Sequence, residues 1–455
     1  MTAQTILPAN SASSGSYQVA NSVRLFADTL MTMTPSGAPT NADISTLSFW
    51  CKLSAIGTNR SPIFAASNGG GVDFRSDDQV DFYNAGGSLR TTAKFRDVSA
   101  WYHIVLRTDT TDGTANDRLR VYVNGTQVTD FAQRTNPDQN ANTHFGSAAE
   151  HHIGCNNNAA NFFNGYLAEV CFIDGLSLGP DSFGEFDSGS GIWKPIKVSD
   201  LTFGKNGFYL EFKDGSNLGD ELKGTQTADW SETNLTVLDQ STDTCTNNFI
   251  TMNPLDSFYS ASTFSEGNLK IVSSSGNYSP DMGTIGLSAG KWYWEVKIDT
   301  TSTEDMVGIT GNQRLSSGSS TSHLGGMLYD FAYNSYARYY NNDGYVSYGA
   351  TFGNNDIIGV ALDLDSGTNT IQFYKNGSAQ GSKNITHVSS TENGFYNVSA
   401  GDFTSGASMT FSSNFGSPPY AISSGNADGN GFGNFEYAVP SGYFAICTKN
   451  LASNG

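Results

Sequence analysis

Basic residues are scarce in this sequence. It has 24 lysines and arginines against 43 aspartates and glutamates, which gives a formal net charge of −19. Affinity for nucleic acid comes mainly from cations that neutralise phosphates and release counterions, and an anionic membrane surface also attracts cations. We therefore expect neither nucleic acid nor a membrane among the partners of this protein.

Cysteine is also scarce, and its spacing has no pattern. There are five cysteines, an odd number, and none of them forms a C-x-x-C pair. This spacing favours neither a zinc site nor a disulfide framework. We expect reduced thiols that fill sheet interiors at Cys51, Cys155, Cys171, Cys245 and Cys447.

Long apolar stretches and helical patterns are missing too. Nowhere do ~18 consecutive apolar residues occur, the length that a membrane helix needs. The first residues, MTAQTILPANSASSGS, have neither a basic start nor an apolar run, so no secretory signal is predicted. If the protein acts outside a cell, we expect it to leave by lysis or as part of a particle.

Glycine, aromatic residues and hairpin signals are abundant by contrast. The chain has 50 glycines and 12% aromatic residues, and two Asn-Gly pairs lie within the similar stretches LRVYVNGTQV and IQFYKNGS. Asn-Gly between alternating apolar residues predicts a type I′ turn, because both turn residues need positive φ. We predict hairpins at Asn124-Gly125 and Asn376-Gly377, with Val121 opposite Val128 and Leu119, Val121 and Val123 directed toward a core.

The chain is too long for one hydrophobic core, and we predict an all-β fold of two jelly-roll-like β-sandwiches in series. In the first sandwich, Leu47, Phe49, Cys51 and Leu53 alternate with Ser48, Trp50 and Lys52, which predicts a strand with one strongly apolar face. The predicted parts are an extended arm (1–20), a first sandwich (21–185), a connector packed on it (186–246), a second sandwich (247–416), and a linker with a short C-terminal segment (417–455).

Catalytic motifs are incomplete. Gly-x-Ser-x-Gly occurs at 175–179 and 286–290, but a nucleophile elbow needs a strand before it and a helix after it, and neither context fits. Glu185-Phe186-Asp187 approaches the E-x-D-x-x-E pattern of retaining glucanases, yet Ser190 stands where the second glutamate is needed. We expect no catalytic residues and no enzyme.

Metal motifs are incomplete as well. Asp363, Asp365, Gly367 and Asn369 resemble a calcium loop but lack the glycine and the closing glutamate of an EF-hand. His151 and His152 are adjacent, so on a strand they point to opposite faces. No cofactor and no metal site is predicted, although a calcium ion at another loop stays possible.

Two segments favour ligand binding. Residues 156–164, NNNAANFFN, combine amides with aromatic rings that could stack on sugars, or whose rings could instead pack inward. Seven tyrosines lie between 329 and 348 beside asparagines, and tyrosine is favoured in recognition surfaces. We expect about half of these tyrosines to be exposed. The predicted ligand-binding residues are Asn157, Asn161, Phe162, Phe163, Tyr336, Tyr339, Tyr340, Asn341 and Tyr345.

The sequence also resembles known families. LSFWCKL, SAWYHIVLRTDTT, LRVYVNG and FNGYLAEVCFIDG are similar to the laminin-G-like, concanavalin A-like domain of virion and tail-fibre proteins of marine bacteriophages. GKWYWEVKI, IIGVALDLDSGTNTIQFYKNG and SSNFG resemble a SPRY domain. The resemblance implies a bacteriophage structural protein located in the virion, as a head or tail fibre or a capsid decoration component.

Three functions follow as hypotheses. The first is adhesion, in which loops of the sandwiches bind host-surface polysaccharide and many copies supply avidity. The second is purely architectural, with the same loops buried in subunit contacts. The third, a polysaccharide depolymerase, lacks its carboxylate pair. The expected partners are other virion proteins, further copies of this chain in a homo-oligomer, and host-surface polysaccharide.

Overall fold

The structure is a computed structural model that describes residues 17–57, 60–198, 200–220, 229–257, 262–274, 278–312, 323–403 and 406–455. It divides into two compact units, whose described parts are residues 17–246 and 247–455. Both units are built from β-sheets whose strands are antiparallel apart from the pair of β23 with β33, which confirms the predicted all-β fold of sandwiches in series. Among the described residues, no helix is long and apolar enough to cross a membrane.

The strands of the first unit are short and closely spaced. They are β1 (Ser22–Leu25), β2 (Leu30–Met33), β3 (Ile44–Leu53), β4 (Ser61–Ala66), β5 (Gly71–Phe74), β6 (Gln79–Asn84), β7 (Gly87–Lys94), β8 (Trp101–Asp109), β9 (Leu119–Val123), β10 (Thr126–Gln127), β11 (Phe131–Thr135), β12 (His151–Ile153), β13 (Gly165–Asp174), β14 (Gly184–Phe186), β15 (Trp193–Pro195), β16 (Phe208–Leu210), β17 (Ser231–Thr233) and β18 (Gln240–Ser241). Short 3-10 helices lie at Ala115–Asp117, Pro180–Ser182 and Val237–Asp239.

Two sheets of the first unit face each other across its core. One has the order β10-β9-β8-β3-β13-β1-β18, with β16 also paired to β13, and the other has the order β11-β7-β6-β5-β4-β12-β2-β17. The core between them is almost wholly aliphatic and phenylalanine side chains. Burial of this apolar surface is the main force that holds the two sheets together.

The strand β3 has its predicted apolar face in the core between the sheets, and its other face is buried as well. Trp50 and Lys52, on the face opposite Phe49 and Cys51, are each only 1% exposed. Lys52 pairs with Asp243 at 2.8 Å, and Trp50 packs in a cluster that includes Trp193. Residues of 186–246 therefore form a further layer over this sheet, and β16 lies in the sheet itself.

The second unit repeats the sandwich plan. Its strands are β19 (Met252–Ser257), β20 (Thr263–Ser265), β21 (Lys270–Val272), β22 (Ser279–Leu287), β23 (Lys291–Thr300), β24 (Asp305–Thr310), β25 (Asp330–Asn334), β26 (Arg338–Asn341), β27 (Gly344–Ser347), β28 (Ile357–Asp363), β29 (Thr370–Lys375), β30 (Ser378–Asn384), β31 (Tyr396–Asp402), β32 (Thr410–Asn414) and β33 (Phe444–Ala445). A 3-10 helix lies at Val388–Ser390, and the helix α1 covers Thr448–Asn454.

Each sheet of the second unit ends in an exposed edge strand. One sheet has the order β19-β22-β31-β24-β25-β26-β27, and the other has the order β20-β21-β32-β23-β28-β29-β30. The residues after 416 belong to this unit, because β33 pairs with β23 and Phe435 is fully buried. The buried carboxylate of Glu295 accepts hydrogen bonds from the backbone N–H groups of Glu436 and Tyr437 at 3.0 and 2.8 Å.

Both predicted Asn-Gly hairpins are confirmed, and their turn residues have the same backbone conformation. The turn residues have φ of 47° and 78° at Asn124-Gly125 and of 47° and 76° at Asn376-Gly377. Val128 donates its N–H to the carbonyl of Val121, as the register predicts. A ring from the outer layer lies against each turn glycine: Trp193 against Gly125 and Tyr437 against Gly377.

Candidate ligand-binding site

The candidate site lies on the second unit, where three short strands form the end of a sheet. The strands β25 and β26 are joined by a tight turn, and β26 and β27 by a turn in which Asn342 and Asp343 have φ of 50° and 60°. Asn and Asp accept this left-handed conformation more easily than most residues. The sequence NNDG thus forms the turn of a hairpin, and the last strand of this hairpin, β27, is exposed along its full length.

The outer face of this hairpin carries two exposed tyrosines around one arginine. Tyr336 and Tyr345 are 49% and 57% exposed. The guanidinium of Arg338 lies 5.7 Å from the ring centre of Tyr336 and 4.5 Å from that of Tyr345, and it pairs with Glu304 at 2.8 Å. The ion pair and the cation–π contacts hold both rings in place at the surface.

A cleft opens at the inner side of the same hairpin. It has a volume of 370 Å³ and is lined by Tyr339, Asn341, Gly344, Tyr345, Val346 and Lys383. Lys383 comes from β30, which is the edge strand of the opposite sheet. The cleft is therefore the gap between the two sheet edges on one side of the sandwich.

The polar groups of the cleft are only partly used. Both hydrogens of the Asn341 amide donate, to the carbonyls of Leu328 and Asp330 at 2.9 and 2.8 Å, which leaves its Oδ1 to accept a bond. In the part of the chain that the structure describes, the buried hydroxyl of Tyr339 has no hydrogen-bond partner. Burial raises the pKa of this phenol, so the group is a neutral donor and acceptor.

Of the predicted site residues, Tyr339, Asn341 and Tyr345 line the cleft, and Tyr336 lies on the outer face beside Arg338. The prediction for Tyr340 is wrong, because its ring is 4% exposed and packs against Met306, Leu324 and Ala332. Of the seven tyrosines between 329 and 348, two are exposed rather than about half. Tyr333, Tyr339, Tyr340 and Tyr348 are buried, and Tyr329 is half-buried.

The predicted site residues of the first unit are not part of this cleft, since they belong to the other unit. Asn157 is exposed, and Asn161 and Phe162 are half-buried on a loop that the Asn156 side chain holds by accepting two backbone hydrogen bonds. The prediction for Phe163 is wrong, because its ring is fully buried in the core between the sheets. The inward-packing alternative is thus correct for Phe163.

Lys383 and Val346 were missed in the sequence. Lys383 lies more than forty residues from Tyr339 along the chain, and nothing around it marks a site. One signal was available: the second Asn-Gly turn predicts that the strand after it pairs with β29. Only the meeting of two sheet edges places the lysine beside the tyrosines.

Three side-chain groups elsewhere resemble catalytic arrangements without being able to act as such. The first is Ser48, His103 and Trp193, all buried. The Trp193 Nε1–H donates to His103 Nδ1 at 2.9 Å, so the neutral imidazole carries its proton on Nε2 and donates it to Ser48 Oγ. Burial lowers the pKa of His103 to about 3. The imidazole therefore cannot accept the serine proton.

The second group is Cys155, His152 and Glu150. The Cys155 Sγ lies 3.7 Å from His152 Nδ1, and the His152 Nε2 lies 3.4 Å from a carboxylate oxygen of Glu150. Burial raises the pKa of the Cys155 thiol to about 11, so it stays protonated at neutral pH. A fully buried, protonated thiol is not a nucleophile for an external substrate.

The third group is the carboxylate pair Asp73 and Asp81 on neighbouring strands. One Arg60 nitrogen lies 3.0 Å from Asp73 and 3.4 Å from Asp81, and the carboxylates are 1% and 4% exposed. Burial raises the pKa of Asp73 to about 6. Because a guanidinium bridges both carboxylates, neither can approach a glycosidic bond.

Metal binding finds no support at the motifs considered. The Asp363 carboxylate accepts the backbone N–H groups of Asp365 and Ser366 and pairs with Lys291, as a tight strand connection requires. His151 accepts the N–H of Gly146 through Nε2. In the described ranges, no group of three or more His, Cys, Asp or Glu residues could hold a metal ion.

Comparison with known proteins assigns two domains. Residues 28–176 match the laminin G family model described as the concanavalin A-like lectin/glucanases superfamily, and residues 291–416 match the SPRY domain model. The chain thus carries a concanavalin A-like domain followed by a SPRY domain. A search of curated proteins finds no match.

Solved structures resemble part of the chain. The SPRY domain of human HERC1 is 17% identical with a TM-score of 0.29 and covers 36% of this chain and 96% of its own. A human SPRY domain is 20% identical with a TM-score of 0.26 and covers 32% of this chain and 91% of its own. Stonustoxin is 16% identical with a TM-score of 0.29 and covers 36% of this chain but only 28% of its own.

Proposed function

We propose that this chain, a concanavalin A-like domain followed by a SPRY domain, is a non-catalytic protein that binds carbohydrate through the cleft between β27 and β30. The observation that carries the proposal is a cleft of 370 Å³ lined by Asn341 and Lys383 and bordered by β27, which also carries the exposed ring of Tyr345 on its outer side. An exposed ring near an amide is a usual combination for stacking on a sugar and bonding its hydroxyls.

A glycan array with purified protein tests this proposal. Tyr345→Ala should weaken binding roughly tenfold, since a ring contact is worth about 1–1.5 kcal/mol. Tyr345→Phe is the matched control and should retain most of the binding, because it keeps the ring. The thermal unfolding temperature should not change in either variant, as Tyr345 is 57% exposed. Equal binding by wild type and Tyr345→Ala would overturn the proposal.

We further propose that the protein is a bacteriophage virion component, where many copies would turn weak sites into firm adhesion to host-surface polysaccharide. The resemblance of residues such as SAWYHIVLRTDTT and FNGYLAEVCFIDG to virion proteins supports this part. An antibody against the chain should label intact particles in electron micrographs at the head or the tail. Particles that lack the protein altogether would contradict the virion assignment.

An architectural role is the second candidate, and the edge strand β27 favours it. An exposed edge with unpaired backbone groups can add a strand from another chain, and Val346 and Leu328 beside it are 53% and 51% exposed. On this alternative, Val346→Lys would weaken particle assembly. The wild-type protein would bind no glycan through Tyr345. Release of reducing sugar from host polysaccharide would instead support a depolymerase.

A further inference from the structure

We infer that the cleft between β27 and β30 selects glycans that carry a negative group, a carboxylate or a sulfate ester, and that Lys383 is the residue that binds this group. This inference rests on the proposed carbohydrate-binding function and names the class of sugar. The first observation is the surroundings of the positive charge of Lys383 in a strongly acidic protein.

Four cations of the second unit are neutralised by neighbouring carboxylates. Lys291, Lys297, Arg338 and Lys375 each lie 2.8–3.2 Å from a carboxylate oxygen, of Asp363, Asp299, Glu304 and Asp356 respectively. Lys383 differs from these four. Among the described residues, no carboxylate oxygen lies within 4.0 Å of its ammonium group.

Lys383 is held at the cleft by aromatic rings instead. Its Nζ lies 5.6 Å from the ring centre of Tyr339 and 5.2 Å from that of Tyr348. Ring faces attract a cation without neutralising its charge. The ammonium group is therefore positioned, half-buried and still able to donate three hydrogen bonds to an anion.

The remaining cleft groups fit a sugar that carries such an anion. Asn341 Oδ1 can accept a sugar hydroxyl, and the exposed strand β27 with Tyr345 borders the cleft. The overall charge of −19 repels polyanions from most of the surface, so an acidic glycan needs one local cation in order to bind. Carboxylate and sulfate present the same acceptor oxygens to that cation.

The test is a glycan array that contains neutral glycans together with uronate-bearing and sulfated ones, probed with the full chain. We expect the bound glycans to be mainly charged. Lys383→Gln should weaken their binding roughly tenfold, the loss of one charge-assisted hydrogen bond, and Lys383→Arg should restore much of it. Lys375→Gln is the matched control, because Lys375 is paired with Asp356 and does not line the cleft.

The outcomes separate this inference from the function on which it rests. Binding of neutral glycans that Tyr345→Ala weakens and Lys383→Gln leaves unchanged would keep the proposed function and overturn the inference. No binding of any glycan would overturn both. A preference for sulfated over uronate glycans, or the reverse, identifies the source of the charge. Unfolding temperatures of the three lysine variants show whether a loss of binding is a loss of folding.

Discussion

Replacing Gly125 by alanine should destabilise the first unit much more than the same change at Gly86. Both glycines occupy the second position of a two-residue hairpin turn, with φ of 78° and 80°. A Cβ in this left-handed conformation costs about 1–2 kcal/mol at either position. At Gly86 there is nothing within 4 Å of the added carbon. Gly86→Ala therefore measures the conformational cost alone.

At Gly125 the added carbon would also meet a ring that cannot move away. It would lie 2.8 Å from Cδ2 of Trp193 and closer still to Cε3 and Cζ3. Trp193 is 5% exposed, and its Nε1–H is bonded to His103 at 2.9 Å. Overpacking of this kind costs a further 1–3 kcal/mol, roughly, so Gly125→Ala should lose about 2–5 kcal/mol in total.

Hydrogen exchange of β8 and β9 peptides in the full-length chain, measured at increasing urea concentrations, gives the free energy of unfolding of this unit. We expect a difference of at least about 1 kcal/mol between the two variants. Equal losses of unfolding free energy in Gly125→Ala and Gly86→Ala would refute this prediction. They would mean that residues 186–246 do not hold Trp193 against the turn. Gly377→Ala, where the carbon would lie 2.7 Å from Tyr437, should show the same excess in the second unit.

Three further variants have expected outcomes of their own. Burial raises the pKa of Glu169 to about 7 against 4.5 in an unfolded chain, so the native state binds the extra proton and its stability falls as pH rises from about 4.5 through about 7. In urea unfolding, the free energy of unfolding of the wild type should fall by roughly 3 kcal/mol relative to that of Glu169→Gln between pH 4 and pH 8. Parallel curves of the free energy of unfolding against pH for the two proteins would contradict this. Tyr340→Ala should lower the free energy of unfolding by about 3 kcal/mol in a thermal or urea titration, since the ring is core and not surface. Asp428→Ala removes the acceptor of the Phe432 and Ala445 N–H groups and should make residues 417–455 sensitive to protease, while an unchanged digestion rate would count against the docked segment.

Much of the fold could be predicted because its signals are local. The Asn-Gly pairs need only their own backbone preferences, and alternation of apolar residues needs only the two-residue period of a strand. The outer layers were harder. Trp50 is buried because residues 186–246 pack over β3 and bring Trp193 into the same cluster. This contact joins residues more than a hundred positions apart, so the local sequence around Trp50 does not reveal it.

The candidate site shows the same division between local and distant causes. The tyrosine-rich segment was recognised from its composition, but Tyr340 and Tyr345 are direct partners on neighbouring strands and have opposite exposure. Tyr340 is covered by Leu324 and Phe403, while Tyr345 lies on the edge strand, contacts Arg338 and stays exposed. Composition cannot distinguish the two, because the difference arises from segments that pack over one strand and not over the next.

The most direct test of the account is hydrogen exchange mass spectrometry of the full chain with and without a saturating glycan taken from the array. We predict slower exchange in residues 338–347 and 378–384, the strands that border the cleft, with no change in residues 156–164 of the first unit. Protection confined to residues 156–164, with the β27 and β30 amides unaffected, would contradict the claim that the second unit carries the binding site.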